Sequence, residues 1–375
     1  MNTHHEHSEY VPAAHRELDP QHVHEQLMQS APRRLAFDES RDPAEWRTQL
    51  AAALRASLGR EPEPVPLDAV WDPPEERDGF TLQRVEFSTE RDVRAVGWFM
   101  TPTRDASADT SAGASAGASA DGRRPTVIAL QGHSSGAHIS FGELRHSGDA
   151  VLMKEEQDFG VQAVRCGFNA FALEQRGFGE RMDSRPRERR HHYDYTNPFT
   201  DERCRHQAMV ALLLGRTLIG ERVFDVRRAI DLLETRPEVD TGRIACVGNS
   251  GGGSATYYAA CVDERIAAAM PGCSVCSYGA SIGRIDHCSD NYLPGALESF
   301  DMGDLAGLIA PRPLVVVASD DDPIFPYSGV TAEMETVRRV YARHGHPDRT
   351  ALFTGRGGHR FFAGAWDVFR ATTGW

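Results

Sequence analysis

The apolar positions of this 375-residue chain change their period twice. In "DPAEWRTQLAAALRASLG", Trp46, Leu50, Leu54 and Leu58 recur every fourth residue and share one face of an amphipathic helix. Gly59 and the prolines after it provide a stop. No strand-like alternation precedes residue 80, so residues 1–78 read as an N-terminal helical extension. From Phe80 the period falls to two. "FTLQRVEFST" and "VRAVGWFMTP", joined by "ERD", predict a hairpin. Residues 103–124, rich in Ala, Ser, Gly and Asp, have nothing to bury and read as a disordered loop.

Beyond that loop, short apolar runs alternate with helical segments. The runs are "TVIALQ", "NAFALEQ", "RIACVGN", "IAAAMPG", "PLVVVAS" and "TALFTG". Between them lie "FGVQAVRCG", "ERVFDVRRAIDLLET", "SATYYAACV" and "TAEMETVRRVYARHG". Runs that are apolar throughout predict strands buried on both faces. The fold class is therefore α/β: a mostly parallel central sheet with helices on both faces, spanning residues 79–375. Residues 181–222 fall between two core elements and read as a cap-like insertion, with a helix in "RHQAMVALLLGRTL".

Composition narrows the partners. A net charge of −13 argues against nucleic-acid and anionic-membrane surfaces. The basic run "RPRERRHH" (185–192) is short and reads as a solvated loop. No secretory h-region and no membrane-length apolar stretch is seen, and seven cysteines form no disulfide framework. A cytoplasmic protein with reduced thiols is expected. "CSVC" has C-x-x-C spacing, but His287 and Cys288 follow at the wrong distance for a familiar zinc site, so neither metal nor cofactor is expected. Homo-oligomerisation is compatible with this reading.

Two stretches, "GHSSG" (132–136) and "GNSGG" (248–252), place serine between glycines. A nucleophile elbow needs a strand, a very tight turn and a helix that starts at the serine. "RIACVGNSGGGSATYYAACV" supplies all three around Ser250. The segment after Ser134 is polar and broken by glycines. In this type of fold an acid and a histidine follow the nucleophile at later strand ends, in that order. The later runs end in "ASDDDPIF" and "TGRGGHRFF". His359 is the expected base. Asp320, Asp321 and Asp322 compete for the acid, with Asp322 preferred because the prolines of "DPIFP" stiffen its loop and Asp320 next. The "GHSSG" loop then supplies an oxyanion-hole donor: the amide of His133, paired with that of Gly251.

At these residues the sequence resembles the α/β-hydrolase superfamily. It looks most like the branch of dienelactone hydrolases and acetyl-xylan-esterase-like proteins. The likeness rests on "ALQGHSSG", "LEQRGFGER", "DVRRAIDLLETRPEVDTGRIACVGNSGGG", "LIAPRPLVVVASDDDPIFP" and "GGHRFF", and covers roughly residues 80–375. It implies a serine hydrolase with Ser250, Asp322 and His359 as triad. Dienelactone hydrolases proper use cysteine where this chain has Ser250, and polymer-acting acetyl xylan esterases are commonly exported. A small soluble ester, cleaved through an acyl-enzyme, is the expected substrate. The alternatives are an amide or peptide hydrolase using the same triad and a non-catalytic binding module on this scaffold. Tyr278, His287 and Tyr292, in the segment after the strand that follows the elbow, are candidate pocket residues. Glu174 and Arg176 read as a buried structural pair.

Overall fold

The computed structural model describes residues 19–103, 119, 122–182 and 202–375. Most of the 103–124 loop, the basic run 185–192 and the first half of the expected insertion lie outside the described residues. Ten strands form one sheet: β1 (Val70–Trp71), β2 (Glu75–Arg77), β3 (Phe80–Glu90), β4 (Val93–Pro102), β5 (Arg124–Leu130), β6 (Asn169–Leu173), β7 (Val239–Asn249), β8 (Ile266–Gly272), β9 (Leu314–Ser319) and β10 (Thr350–Gly355). Their order is β1-β3-β4-β6-β5-β7-β8-β9-β10, with β2 paired to β3. The β3–β4 hairpin is antiparallel, and so is β4 against β6. Every pair from β6 through β5 to β10 is parallel.

Side chains alternate across a strand, so a strand covered on both sides must be apolar at every position. In β9, Leu314, Val316 and Ala318 enter one core cluster while Val315 and Val317 enter the other. In β7, Ile244 and Cys246 face one way, and Ala245 and Val247 the other. Helices Leu218–Leu233, Gly251–Val262 and Tyr327–Arg343 bury most of their apolar residues in the first cluster. Helices Phe159–Arg165 and Ala365–Thr373 bury theirs in the second. The last of these, nine residues long, is not among the helical segments read from the sequence.

The helix expected in the extension spans Pro43–Leu58. Asp42 caps it by accepting from the Glu45 amide, and Pro43 fills the first turn, where no amide partner is needed. Trp46, Leu50, Leu54 and Leu58 are all buried in the first cluster. Gly307 lies under the Trp46 indole, where a Cβ would stand only 2.3 Å from the ring. The expectation of no strand before residue 80 fails at β1 and β2, which pair with β3. They are two and three residues long and largely exposed, too short and too polar to show a period. The helix expected in "RHQAMVALLLGRTL" is Glu202–Leu213.

Candidate active site

The carboxyl ends of β5, β7, β9 and β10 bring together the residues expected to do chemistry. Ser250 follows β7 and caps helix Gly251–Val262 with φ 56 and ψ −125, a conformation that L-residues avoid. Strain of this kind costs on the order of 1–3 kcal/mol and persists only where the surroundings enforce it. Here the enforcement is steric. A Cβ at Gly252 would lie 2.1 Å from the Leu130 carbonyl oxygen, so the turn closes against β5 only because that residue is glycine. The Ser250 amide donates to the Gly272 carbonyl at 2.8 Å, tying the turn to β8.

Asp322 follows β9 and is buried. One carboxylate oxygen accepts from the amides of Ile324 (2.8 Å) and Phe325 (3.1 Å). The other lies 2.8 Å from Nδ1 of His359. Burial acts to raise the Asp322 carboxyl, but the His359 hydrogen bond and the two amides outweigh it and hold the group below its ordinary value. An ionised carboxylate only accepts, so Nδ1 of His359 carries the proton and Nε2 is left as an acceptor. The ring stacks on Phe325 at 5.7 Å.

The neighbouring aspartates have other work. Asp321 is exposed and accepts from the amides of Gly357 (2.9 Å) and Gly358 (2.7 Å) and from Ser319 Oγ (2.7 Å). Those bonds hold its carboxyl far below the usual range. The same bonds fix the glycine loop that carries His359. Gly357 and Gly358, with φ 139 and 78, adopt backbone that other residues strain to reach. Asp320 is exposed, and its amide donates to the Gly355 carbonyl.

Ser250 and His359 open onto one cavity of about 390 Å³. Its wall also includes Gly132, His133, Leu152, Glu155, Gln157, Ile285, His287 and Cys288. The expected oxyanion loop lies against the elbow. A Cβ at Gly132 would come within 3.2 Å of Ser250 Cβ, and one at Gly251 within 3.1 Å of the His133 ring. The rest of "GHSSG" is structural. Ser134 Oγ lies 3.4 Å from the carbonyl of Gly136, within its own turn. Ser135 Oγ donates to Asp149, which also accepts from His138 and the amides of Arg145 and His146. Behind the loop, buried Glu174 accepts from Gln131 Nε2 (2.8 Å) and the Ala137 amide (3.0 Å).

No family model matches the chain. A curated protein of Bacillus subtilis (strain 168), named "Putative hydrolase YtaP", is 26% identical over 238 residues, 63% of this chain and 73% of that protein. A structure titled as a "putative acetyl xylan esterase" from Bacteroides fragilis superposes with TM-score 0.66 and 18% identity over 94% of this chain and 88% of that one. A glucuronoyl esterase from Solibacter usitatus gives TM-score 0.63 and 15% identity over 92% and 97%. The chain has the α/β-hydrolase fold.

Within this α/β-hydrolase fold, only one of the three expected pocket residues reaches the cavity wall. His287 lines it, buried, and that burial lowers its pKa. Tyr278 and Tyr292 instead line a separate cavity of about 320 Å³ beside helix Pro20–Gln29. Tyr278 is turned inward because its amide donates to Asp301 and its hydroxyl meets that of Tyr258 at 2.7 Å. The Tyr292 hydroxyl folds back onto the Ile285 carbonyl. Glu174 and Arg176 are not a pair: Arg176 binds Asp225, Glu90 and Glu221, while Glu174 braces the 131–137 loop. Sequence reasoning missed Leu152, Glu155, Gln157 and Cys288, which reach the cavity from loops and a short helix without any motif.

Among the described residues, two groups bring three donor atoms within 4.8 Å: His133, Cys204 and Asp290, and Cys273, Asp322 and His359. In each the carboxylate already has a partner. Asp290 is paired with the fully buried Arg222, and Asp322 with His359. An arginine beside the first group opposes a cation there. The "CSVC" thiols do not converge on one site. Cys273 donates to the Arg360 carbonyl and Cys276 to that of Pro326.

Proposed function

We propose that this protein is a serine hydrolase that cleaves a carboxylic ester of a small soluble substrate through an acyl-enzyme. The observation that carries the reading is the 2.8 Å bond from His359 to buried Asp322, with the imidazole opening onto the cavity that holds Ser250. A serine hydroxyl is a poor nucleophile until a base takes its proton. His359 Nε2 takes it as Ser250 Oγ attacks the ester carbonyl. Asp322 holds the tautomer and stabilises the imidazolium. The amides of His133 and Gly251 donate to the oxyanion that forms, a contribution worth about 10²–10³ in rate per donor. His359 then gives its proton to the leaving alcohol. Water, deprotonated by the same ring, releases the acid and restores Ser250.

The esterase names of the structural neighbours support ester over amide chemistry. A cavity of about 390 Å³ suits a small acyl or alcohol group. Residues 79–375 carry all of this machinery, and the 43–58 helix braces it from outside. The test is cleavage of short-chain p-nitrophenyl esters by the purified protein and by Ser250→Ala. Release of nitrophenolate by the wild type and its loss in the variant is the expected result. Equal turnover by both would overturn the mechanism.

A further inference from the structure

A second reactive arrangement lines the same cavity. Cys288, half-buried, lies on the cavity wall with its Sγ 3.6 Å from Nδ1 of His133. The other ring nitrogen of His133, Nε2, is 3.3 Å from Oδ2 of Asp290. Asp290 is fully buried and is itself bound by the fully buried guanidinium of Arg222. Phe178 closes the stack, with its ring edge-on to His133 at 5.1 Å and under Arg222 at 4.6 Å.

This is a nucleophile, a base within hydrogen-bond reach and a carboxylate 3.3 Å from the base's other nitrogen, an order of groups that can activate a thiol. The thiolate is the reactive form, and an adjacent imidazolium favours it. Two other thiols also neighbour a histidine and an aspartate, Cys204 beside His133 and Asp290 and Cys273 beside Asp322 and His359, but both are buried and neither lines the cavity. Burial pushes Cys166, the other half-buried thiol, up to about 11. Burial likewise raises Cys246, Cys261 and Cys276 to about 12.

We propose that Cys288, His133 and Asp290 form a covalent modification site for small α,β-unsaturated carbonyl compounds that enter the cavity. His133 takes the thiol proton. The sulfur attacks the β carbon, a carbon–sulfur bond forms and the carbon–carbon π bond breaks. Its electron pair moves onto the carbon next to the carbonyl, which takes the proton back from His133. No further reactant is consumed. Because Cys288 and Ser250 share the cavity, the adduct occupies space that an ester would need.

The test is site-resolved labelling by N-ethylmaleimide at neutral pH, quenched over time and mapped by peptide mass. No ester is present, so the result does not depend on the hydrolase reading. Cys288 is expected to react at least about tenfold faster than Cys166, and equally fast in Ser250→Ala protein. His133→Ala and His133→Gln should each slow Cys288 by about tenfold while leaving the Cys166 rate unmoved, which also reports that the fold persists. Equal rates at Cys288 and Cys166 in the unaltered protein would overturn the proposal. So would a Cys288 rate that neither His133 variant changes.

Discussion

Two serine–histidine–aspartate groups lie among the described residues, and the proposed chemistry belongs to one of them. In the first, Ser250 sits on a strained turn, His359 opens onto a cavity, and Asp322 bonds Nδ1 of the imidazole and two backbone amides but not the serine. In the second, Asp149 sits at the centre. Ser135 and His138 both bond to it, and two backbone amides complete its shell. Burial acts to raise Asp149, but the bonds from Ser135, His138 and the amides hold it down at about 2. The Ser135 hydroxyl donates to the Asp149 carboxylate, and the one nitrogen of His138 that reaches Ser135 also meets Asp149, so no imidazole stands between serine and acid. The same residue types thus brace a loop or activate a nucleophile, according to which group stands in the middle and which faces open space.

The sharpest way to break this contrast is to exchange the fates of the two serines. Ser250→Ala should lower ester cleavage by about 10⁴-fold or more and abolish fluorophosphonate labelling. If Ser135→Ala did so instead, the contrast would be reversed. Asp322→Asn should lower kcat by about 10⁴, because an amide favours the wrong tautomer of His359, with little change in the thermal midpoint. Asp321→Ala removes the carboxylate that holds the Gly357 and Gly358 amides. It should cost about tenfold in kcat with KM nearly unchanged, because a freed loop misplaces the base without touching the pocket.

Smaller effects sharpen the bracing side. Burial raises Glu174 to about 7, so the folded state binds a proton that the unfolded chain releases near the ordinary carboxylate value. The native state therefore loses stability as pH rises from the ordinary value through about 7. Glu174→Gln keeps an acceptor for Gln131 and Ala137 but has no charge to bury. Its unfolding free energy, read from urea titrations, should gain on the wild type between pH 5 and pH 8, by roughly 1–3 kcal/mol. A difference that does not grow with pH would show that Glu174 is not carrying a suppressed charge. Ser135→Ala should cost about 1–2 kcal/mol in stability through the lost bond to Asp149 while keeping cleavage within about tenfold.

Much of the first group is legible from the sequence because it hangs on strand ends. "RIACVGN", "PLVVVAS" and "TALFTG" are apolar throughout, and the residues just past them are Ser250, the Asp320–Asp322 run and the "GRGGH" loop. Asp322, which precedes the proline, bonds His359, whereas Asp321 holds the glycine loop. The second group is illegible. Nothing in "GHSSGAH" says that Ser135 will meet an aspartate fourteen residues on. Cavity walls are equally hidden, because they depend on how loops fold over the sheet. Tyr278 follows β8 as expected, yet the Asp301 carboxylate draws its backbone inward and its ring points away. Cys288, ten residues later, carries no motif and lies on the wall.

The placement of the two halves of the proposed triad has a thermal consequence. Ser250 is moored to β7, an interior strand with a parallel neighbour on each side, whereas His359 follows β10, which ends the sheet and pairs with β9 alone. Border elements fray at lower free energy than interior ones. On warming, the imidazole should drift from its serine while the interior remains intact, so that turnover vanishes some degrees below the calorimetric transition and returns on cooling.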